Sequence, residues 1–222
     1  MALSQAILNK TKNCIPPIEQ VSIKLLIDSF NLVKTDKLYN LDWDEEQFSS
    51  HIVSYMNNHC LTSAFHLHIN IEEKLLDLNI LPIGKNNPKY LPRIDISISS
   101  WIFKNNEKLQ YFFEAKNLSE NNWEKGTGKK VNAKYYLDRY ILTGIENFRT
   151  KRYYNGSIIG YILEGNITNI IEKLNKKLLN NSHTIQDIKN LDFLPSCNEI
   201  YHSKHQFSST DTIEIKHIFL KF

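Results

Sequence analysis

The sequence predicts one mixed α/β domain, and three observations predict it. Residues 64–72 and 94–99 alternate apolar and polar side chains, the period of a half-buried strand. Residues 157–163, Ser-Ile-Ile-Gly-Tyr-Ile-Leu, are almost continuously apolar, as a strand covered on both faces must be. Around these strands, apolar residues recur at helical spacing over 18–34, 43–60, 131–148 and 167–179.

Residues 1–17 are polar and end in Pro16-Pro17, the composition of an arm. Ile18, Val21, Leu25, Leu26 and Phe30 outline the first helix. Asp42 or Asp44 is placed to cap the second, whose apolar positions are Phe48, Ile52, Tyr55 and Met56. In the first strand Phe65, Leu67, Ile69 and Ile71 oppose His66, His68, Asn70 and Glu72. His66 and His68 lack a third nitrogen or sulfur partner and read as solvated or hydrogen-bonded histidines. Residues 74–92, with Pro82, Gly84, Pro88 and Pro92, read as a connection whose Lys85 and Lys89 are free to touch phosphate. Residues 117–130 are polar, a basic loop with no reason for regular structure. Lys134 and Asp138, on the helix that follows, have ion-pair spacing. After the last helix a loop over 180–198 leads to a C-terminal β-hairpin, about 199–206 and 212–220. His202 and His205 near its turn point to opposite faces and make no bidentate clip.

The chemistry gathers between residues 93 and 117. Residues 94–99 and 109–116 form two β-prone runs, with Lys104-Asn105-Asn106-Glu107 as turn material between them. A turn centred on Asn105-Asn106 pairs Asp95 with Lys116, Ile96 with Ala115, Ser97 with Glu114 and Ile98 with Phe113. Opposed residues share a face. One face then collects Ile94, Ile96, Ile98, Phe113 and Ala115, and the other Asp95, Ser97, Glu114 and Lys116. Glu114 and Lys116 follow Tyr111-Phe112-Phe113, so these charges fall at the end of a buried strand rather than along a solvated face. Two carboxylates so close repel unless a proton or a cation intervenes, and hard divalent cations favour oxygen ligands.

This arrangement resembles the PD-(D/E)xK phosphodiesterase superfamily, the restriction-endonuclease-like nucleases. The matching residues are Asp95 on one strand and Glu114-Ala115-Lys116 on the next. The family's proline before the Asp is missing, since the chain reads Ile94-Asp95 with Pro92 nearby. The order helix, three strands, helix, strand matches the family's αβββαβ core over about 43–164, with 165–222 as an extension. The resemblance implies a mixed α+β sheet and metal-dependent hydrolysis of phosphodiester bonds, in DNA before RNA. Asp95 and Glu114 would hold Mg²⁺, or Mn²⁺, and Lys116 would orient or deprotonate the attacking water. It also implies an acid on the helix before the sheet. Glu46 is the choice and Glu45 the fallback, with Glu72 a weaker candidate, although acids in a first helical turn are favoured by the helix dipole in any case. Such single-domain nucleases often act in defence against foreign DNA, alone, as homodimers or beside a partner protein. The rival reading is a non-catalytic nucleic-acid-binding or interaction subunit of the same fold.

Composition sets the remaining bounds. A chain of 222 residues, 41% hydrophobic and 23% charged, can bury a core without disulfides. Cys14, Cys60 and Cys197 are odd in number and widely spaced, as in a reducing cytosol, and each reads as a small buried residue. No signal peptide or membrane span is evident, which predicts a cytoplasmic protein without membrane partners. Net charge is only +3, yet Glu124 to Arg152 carries eight basic residues against three acids. Within that segment Lys125, Lys129, Lys130, Lys134 and Arg139 are the candidates to grip a nucleic-acid backbone.

Overall fold

Both faces of the central strands are apolar, and both are covered by helices. The computed structural model describes residues 17–74, 93–102, 107–153, 155–179 and 181–222. The arm, the connection carrying Lys85 and Lys89, the Asn105-Asn106 turn and Cys14 lie outside these residues. Helix α1 is Ile18–Asp36, α2 Glu45–Asn57 and α3 Cys60–Ala64. Strands β1 (His68–Lys74), β2 (Arg93–Ser100) and β3 (Leu109–Ser119) follow. A short hairpin, β4 (Trp123–Glu124) and β5 (Lys130–Val131), precedes α4 (Ala133–Arg139), a π-helical segment (Tyr140–Ile145) and α5 (Glu146–Arg149). Strand β6 (Gly156–Glu164), α6 (Ile167–Leu178), β7 (Thr184–Asn190), β8 (Ile200–Gln206) and β9 (Thr212–Lys221) complete the chain.

Seven strands form one mixed sheet in the order β1-β2-β3-β6-β9-β8-β7. β1, β2 and β3 run antiparallel, β3, β6 and β9 parallel, and β9, β8 and β7 antiparallel again. Helices α1 and α2 cover one face, packing on Ile96, Ile98, Tyr111, Phe113, Ile159 and Tyr161. Helix α4, the π segment and α6 cover the other, packing on Phe112, Leu118, Ile158, Ile162 and Phe219. At Gly156 the parallel strands leave no room for a side chain, because a Cβ there would lie 2.1 Å from the Phe112 carbonyl oxygen. Gly156→Ala is therefore expected to destabilise the fold by about 3 kcal/mol, the upper end of overpacking costs. The urea unfolding midpoint measures it.

Several sequence expectations change. The alternation over 64–72 does not make a strand throughout. His59 caps α3, its Nδ1 accepting from Leu61 N–H at 3.2 Å, and β1 starts only at His68. Cys60, expected to be buried, is exposed, while Cys197 is buried. The loop expected over 180–198 contains β7. This is an edge strand with register shifts that buries only Ile188, so its apolar signature is faint. The C-terminal hairpin is no appendage either, because β9 pairs with β6 in the middle of the sheet.

Behind β9 a chain of buried polar groups went unread in the sequence. Tyr140 OH is 2.9 Å from His217 Nδ1, and Ser203 Oγ lies 2.7 Å from both His217 Nε2 and His205 Nε2. Tyr140 supplies a proton and, among the described residues, meets only the His217 acceptor, so the bonds run Tyr140 to His217 to Ser203 to His205. Burial holds the His205 imidazole down at about 4 and that of His217 well below the usual value. His202, on the opposite face of β8, meets Glu214 at 3.0 Å.

Candidate active site

Asp95, Glu114 and Lys116 come together, but not by the expected pairing. The ladder joins Ile96 to Phe113, Ser97 to Phe112 and Ile98 to Tyr111, two residues away from the predicted register. A slip of two leaves each residue on its own face, whereas a slip of one would have scattered the site. The ladder stops at Ile96. Beyond it the Asp95 carboxylate takes over a strand's role, its Oδ2 accepting the Ala115 N–H at 2.5 Å. Ile94, expected beside Ile96 and Ile98, packs instead in the cluster on the opposite side of the sheet.

Glu114 and Lys116 do not close a strand. β3 continues to Ser119 and stays buried, so both charges sit inside the fold, 6% and 4% exposed. Lys116 Nζ donates to Glu114 Oε1 at 2.5 Å and to the Ala115 carbonyl at 2.8 Å. The π segment closes over the lysine stem, with Gly144 near enough that a Cβ there would touch Lys116 Cγ at 3.9 Å. Glu114 Oε2 is buried without a hydrogen-bond partner. The Tyr153 hydroxyl stands nearby, but its proton goes to the Arg93 carbonyl at 2.8 Å.

One lysine cannot neutralise two carboxylates. Burial first, and the Glu114 charge second, push the Asp95 carboxyl up to about 8. Burial also raises Glu114, against the opposing pull of Lys116. This crowding of negative charge is what a hard cation relieves. The unpaired Glu114 Oε2 and the neighbouring Asp95 carboxylate are fitting oxygen donors for Mg²⁺, which is commonly held by one or two carboxylates plus water. Among the described residues no group of three or more His, Cys, Asp or Glu side chains is arranged to hold a metal.

The acid that α2 turns toward this cluster is Glu45 rather than Glu46. Asp44 caps α2 through a capping box with Gln47, which starts the helix at Glu45. Glu45 Oε1 accepts the Asn117 N–H at 3.1 Å, and its charge reaches Asp95 and Glu114. Arg139 of α4 grips it with two hydrogen bonds of 3.0 Å. Glu46 is exposed and lines a separate surface hollow with Trp43, Gln47 and His51. The two acids are neighbours in sequence, and the rotation of α2 turns only Glu45 inward. Glu72 is engaged elsewhere, 3.1 Å from Arg93.

The basic candidates divide. Lys129, Lys130 and Arg139 line a cleft of about 330 Å³ beside Glu45 and Asn117. Lys125 also reaches its wall, but its Nζ is committed to the Asp42 and Trp43 carbonyls at 2.6 and 3.0 Å and burial depresses its pKa. It fastens the β4–β5 hairpin, as Asp42 does by accepting the Gly126 and Thr127 N–H groups at 2.8 and 2.9 Å. The stretch expected as an irregular loop is thus built and anchored. Lys134 is exposed, and its expected partner Asp138 pairs with Lys177 at 2.6 Å instead. Arg139 lines the cleft with its guanidinium already engaged by Glu45.

Among the described residues His66 and His68 join no metal-binding group; His68 packs edge-on to Trp101, with ring centroids 5.6 Å apart. No helix among the described residues is long and apolar enough to cross a membrane. Set against known proteins, the chain matches no family model, no curated protein and no solved structure.

Proposed function

We propose that this protein is a metal-dependent nuclease of the restriction-endonuclease-like kind, hydrolysing phosphodiester bonds in DNA before RNA. The observation that carries the reading is the unpaired, buried Glu114 Oε2 beside Asp95, with Lys116 as the one cation among them. The order α2, β1, β2, β3, α4 and β6, with α3, the β4–β5 hairpin, the π segment and α5 between them, supports it. A structural ion pair alone would leave neither carboxylate orphaned nor a second one crowded against it.

Asp95 and Glu114 would hold the divalent cation. Bound there, Mg²⁺ supplies positive charge to the phosphate and the leaving oxygen and lowers the pKa of coordinated water. Lys116, held by Glu114 and the Ala115 carbonyl, is placed to orient water and to take or give a proton. Glu45 fixes the Asn117 backbone next to Lys116, and Arg139 fixes Glu45. Lys129 and Lys130 offer charge to the backbone, which makes binding weaken as salt rises.

Incubation of the purified protein with circular DNA, linear DNA and RNA, in Mg²⁺, Mn²⁺ or EDTA, tests the reading. Cleavage that needs metal and disappears in Asp95→Ala is the expected result. Salt-sensitive binding with no cleavage of any polymer would favour the non-catalytic binding subunit. A role in defence against foreign DNA belongs to the same proposal. So does a homodimer, for which a monomer alone in sizing chromatography is the contrary result.

The two helix acids give a sharper check. Glu45→Gln is expected to lower activity roughly 10–100-fold, as loss of a supporting group at a metal site does, while Glu46→Gln leaves it unchanged. Initial rates at saturating Mg²⁺ separate the two.

A further inference from the structure

We propose that the cleft beside the acids seats an unpaired nucleotide, so that the substrate is a single-stranded segment or frayed end rather than an intact duplex. The inference rests on the nuclease reading and narrows its substrate.

Access comes first. Glu114 and Lys116 are 6% and 4% exposed, so a phosphate on the outside of a stiff double helix does not reach them. An unpaired strand can bend its backbone inward. The way in is marked by Glu45, whose charge is felt by Asp95 and Glu114, and by Asn117, which follows Lys116 in the chain; both line the cleft. The cleft's volume of about 330 Å³ is at the lower end of small-ligand pockets, which run from about 300 to 1,000 Å³. That is room for one ligand group, not a groove for a helix.

The walls suit a nucleotide. Tyr135 is 57% exposed, unusual for so large a ring, with Tyr136 beside it at a centroid distance of 6.0 Å. The Arg139 guanidinium lies 5.9 Å from the Tyr135 centroid and widens the flat surface. Lys129 and Lys130 flank it. Aromatic platforms edged by cations are how unpaired strands are held without regard to sequence: the base stacks and the phosphates meet the lysines.

An independent feature points to a ligand. Asn117 is 3% exposed and lines the cleft, yet its Oδ1 has no hydrogen-bond partner. Its backbone N–H is taken by Glu45, and its Nδ2 faces the Trp43 carbonyl at 3.5 Å. A buried acceptor left open is costly unless something donates to it. A base N–H or a sugar hydroxyl does so, and a phosphate oxygen does not. The cleft therefore holds places for a base, a donor and a phosphate.

The test uses the full chain with Mg²⁺ and labelled oligonucleotides of one sequence: single-stranded DNA, single-stranded RNA and a blunt DNA duplex. A single strand of either sugar is expected to be cut roughly tenfold faster than the duplex. Tyr135→Ala should raise KM for the strand several-fold with kcat little changed, while Tyr135→Phe stays near wild type. A merely structural tyrosine would move neither constant selectively. If duplex and strand are cut equally fast and Tyr135→Ala keeps its KM, the single-strand inference is overturned and the nuclease reading stands. If no polymer is cut or bound, both fall.

Discussion

Lys116→Ala is expected to slow the proposed metal-dependent phosphodiester cleavage by about 10²–10⁴-fold, the usual worth of a positioned proton-transfer group. The reason is geometric. Its Nζ is 2.5 Å from Glu114 Oε1 and 2.8 Å from the Ala115 carbonyl, and Gly144 of the π segment lies against its stem. Lys125 cannot substitute, since it is tied to the Asp42 and Trp43 carbonyls. Truncation also removes the cation paired with buried Glu114, and breaking a buried pair typically costs about 3–5 kcal/mol. Folding and chemistry therefore need separating. Lys116→Gln keeps a donor for Glu114 and the carbonyl but has no charge and no usable proton. Circular dichroism should show it folded, and its cleavage rate should match that of Lys116→Ala. A folded Lys116→Gln with wild-type kcat would falsify the role given to this lysine.

The second large effect concerns stability. In EDTA, Asp95→Asn is expected to melt about 5 °C or more above the wild type at pH 8.5. The Asp95 carboxyl is raised from 3.8 to about 8 in the fold, by burial and then by Glu114. Between those two values the native state keeps a proton that the unfolded chain gives up. Stability therefore falls as pH rises through this window, and the full penalty is present above it. A shift of that size is on the order of a few kcal/mol, at about 2–4 °C per kcal/mol for a chain of this length. The amide removes the penalty at little structural cost. Its oxygen can still accept the Ala115 N–H, and its NH₂ has the orphaned Glu114 Oε2 nearby as an acceptor.

The histidines behind β9 make the sign testable. His205 and His217 have depressed pKa values, so the unfolded chain binds protons that the native state refuses. Their contribution is lost as pH falls below about 6.5. In the wild type this acid-side loss opposes the alkaline-side loss from Asp95. In Asp95→Asn the Asp95 part of the alkaline-side loss is gone, and melting temperature should fall less steeply above pH 7 than in the wild type. Adding Mg²⁺ at pH 8.5 should raise the wild-type melting temperature and move the variant less, because the proposed ion would bind the native state through the carboxylate that was removed. A variant no more stable than wild type, or an unchanged response to Mg²⁺, would mean that Asp95 is not charged and crowded as described.

Much of this molecule is written in local pattern. The helices begin and end close to where apolar spacing and caps place them, and Asp95, Glu114 and Lys116 were brought to one site by strand period alone. That site survived a two-residue error in register because a pleated strand repeats its faces every second residue, so the face is far more robust than the partner. What periodicity cannot carry is anything set by how one element rests on another. Glu45 and Glu46 are equivalent as first-turn acids, and only the rotation of α2 against β3 turns Glu45 toward Asn117 and Arg139. Lys125 looks like a surface cation until the β4–β5 hairpin folds its amine onto two carbonyls. β7 looks like a loop because an edge strand that buries one residue has little apolar signal to show. The Tyr140–His217–Ser203–His205 chain joins residues 140, 203, 205 and 217, which meet only once β8 and β9 are seated beneath the π segment. The sequence by itself determined the strand faces and the three residues at the heart of the site. The tertiary structure alone decided which neighbours complete it, because side-chain direction follows from local period while partnership follows from long-range packing.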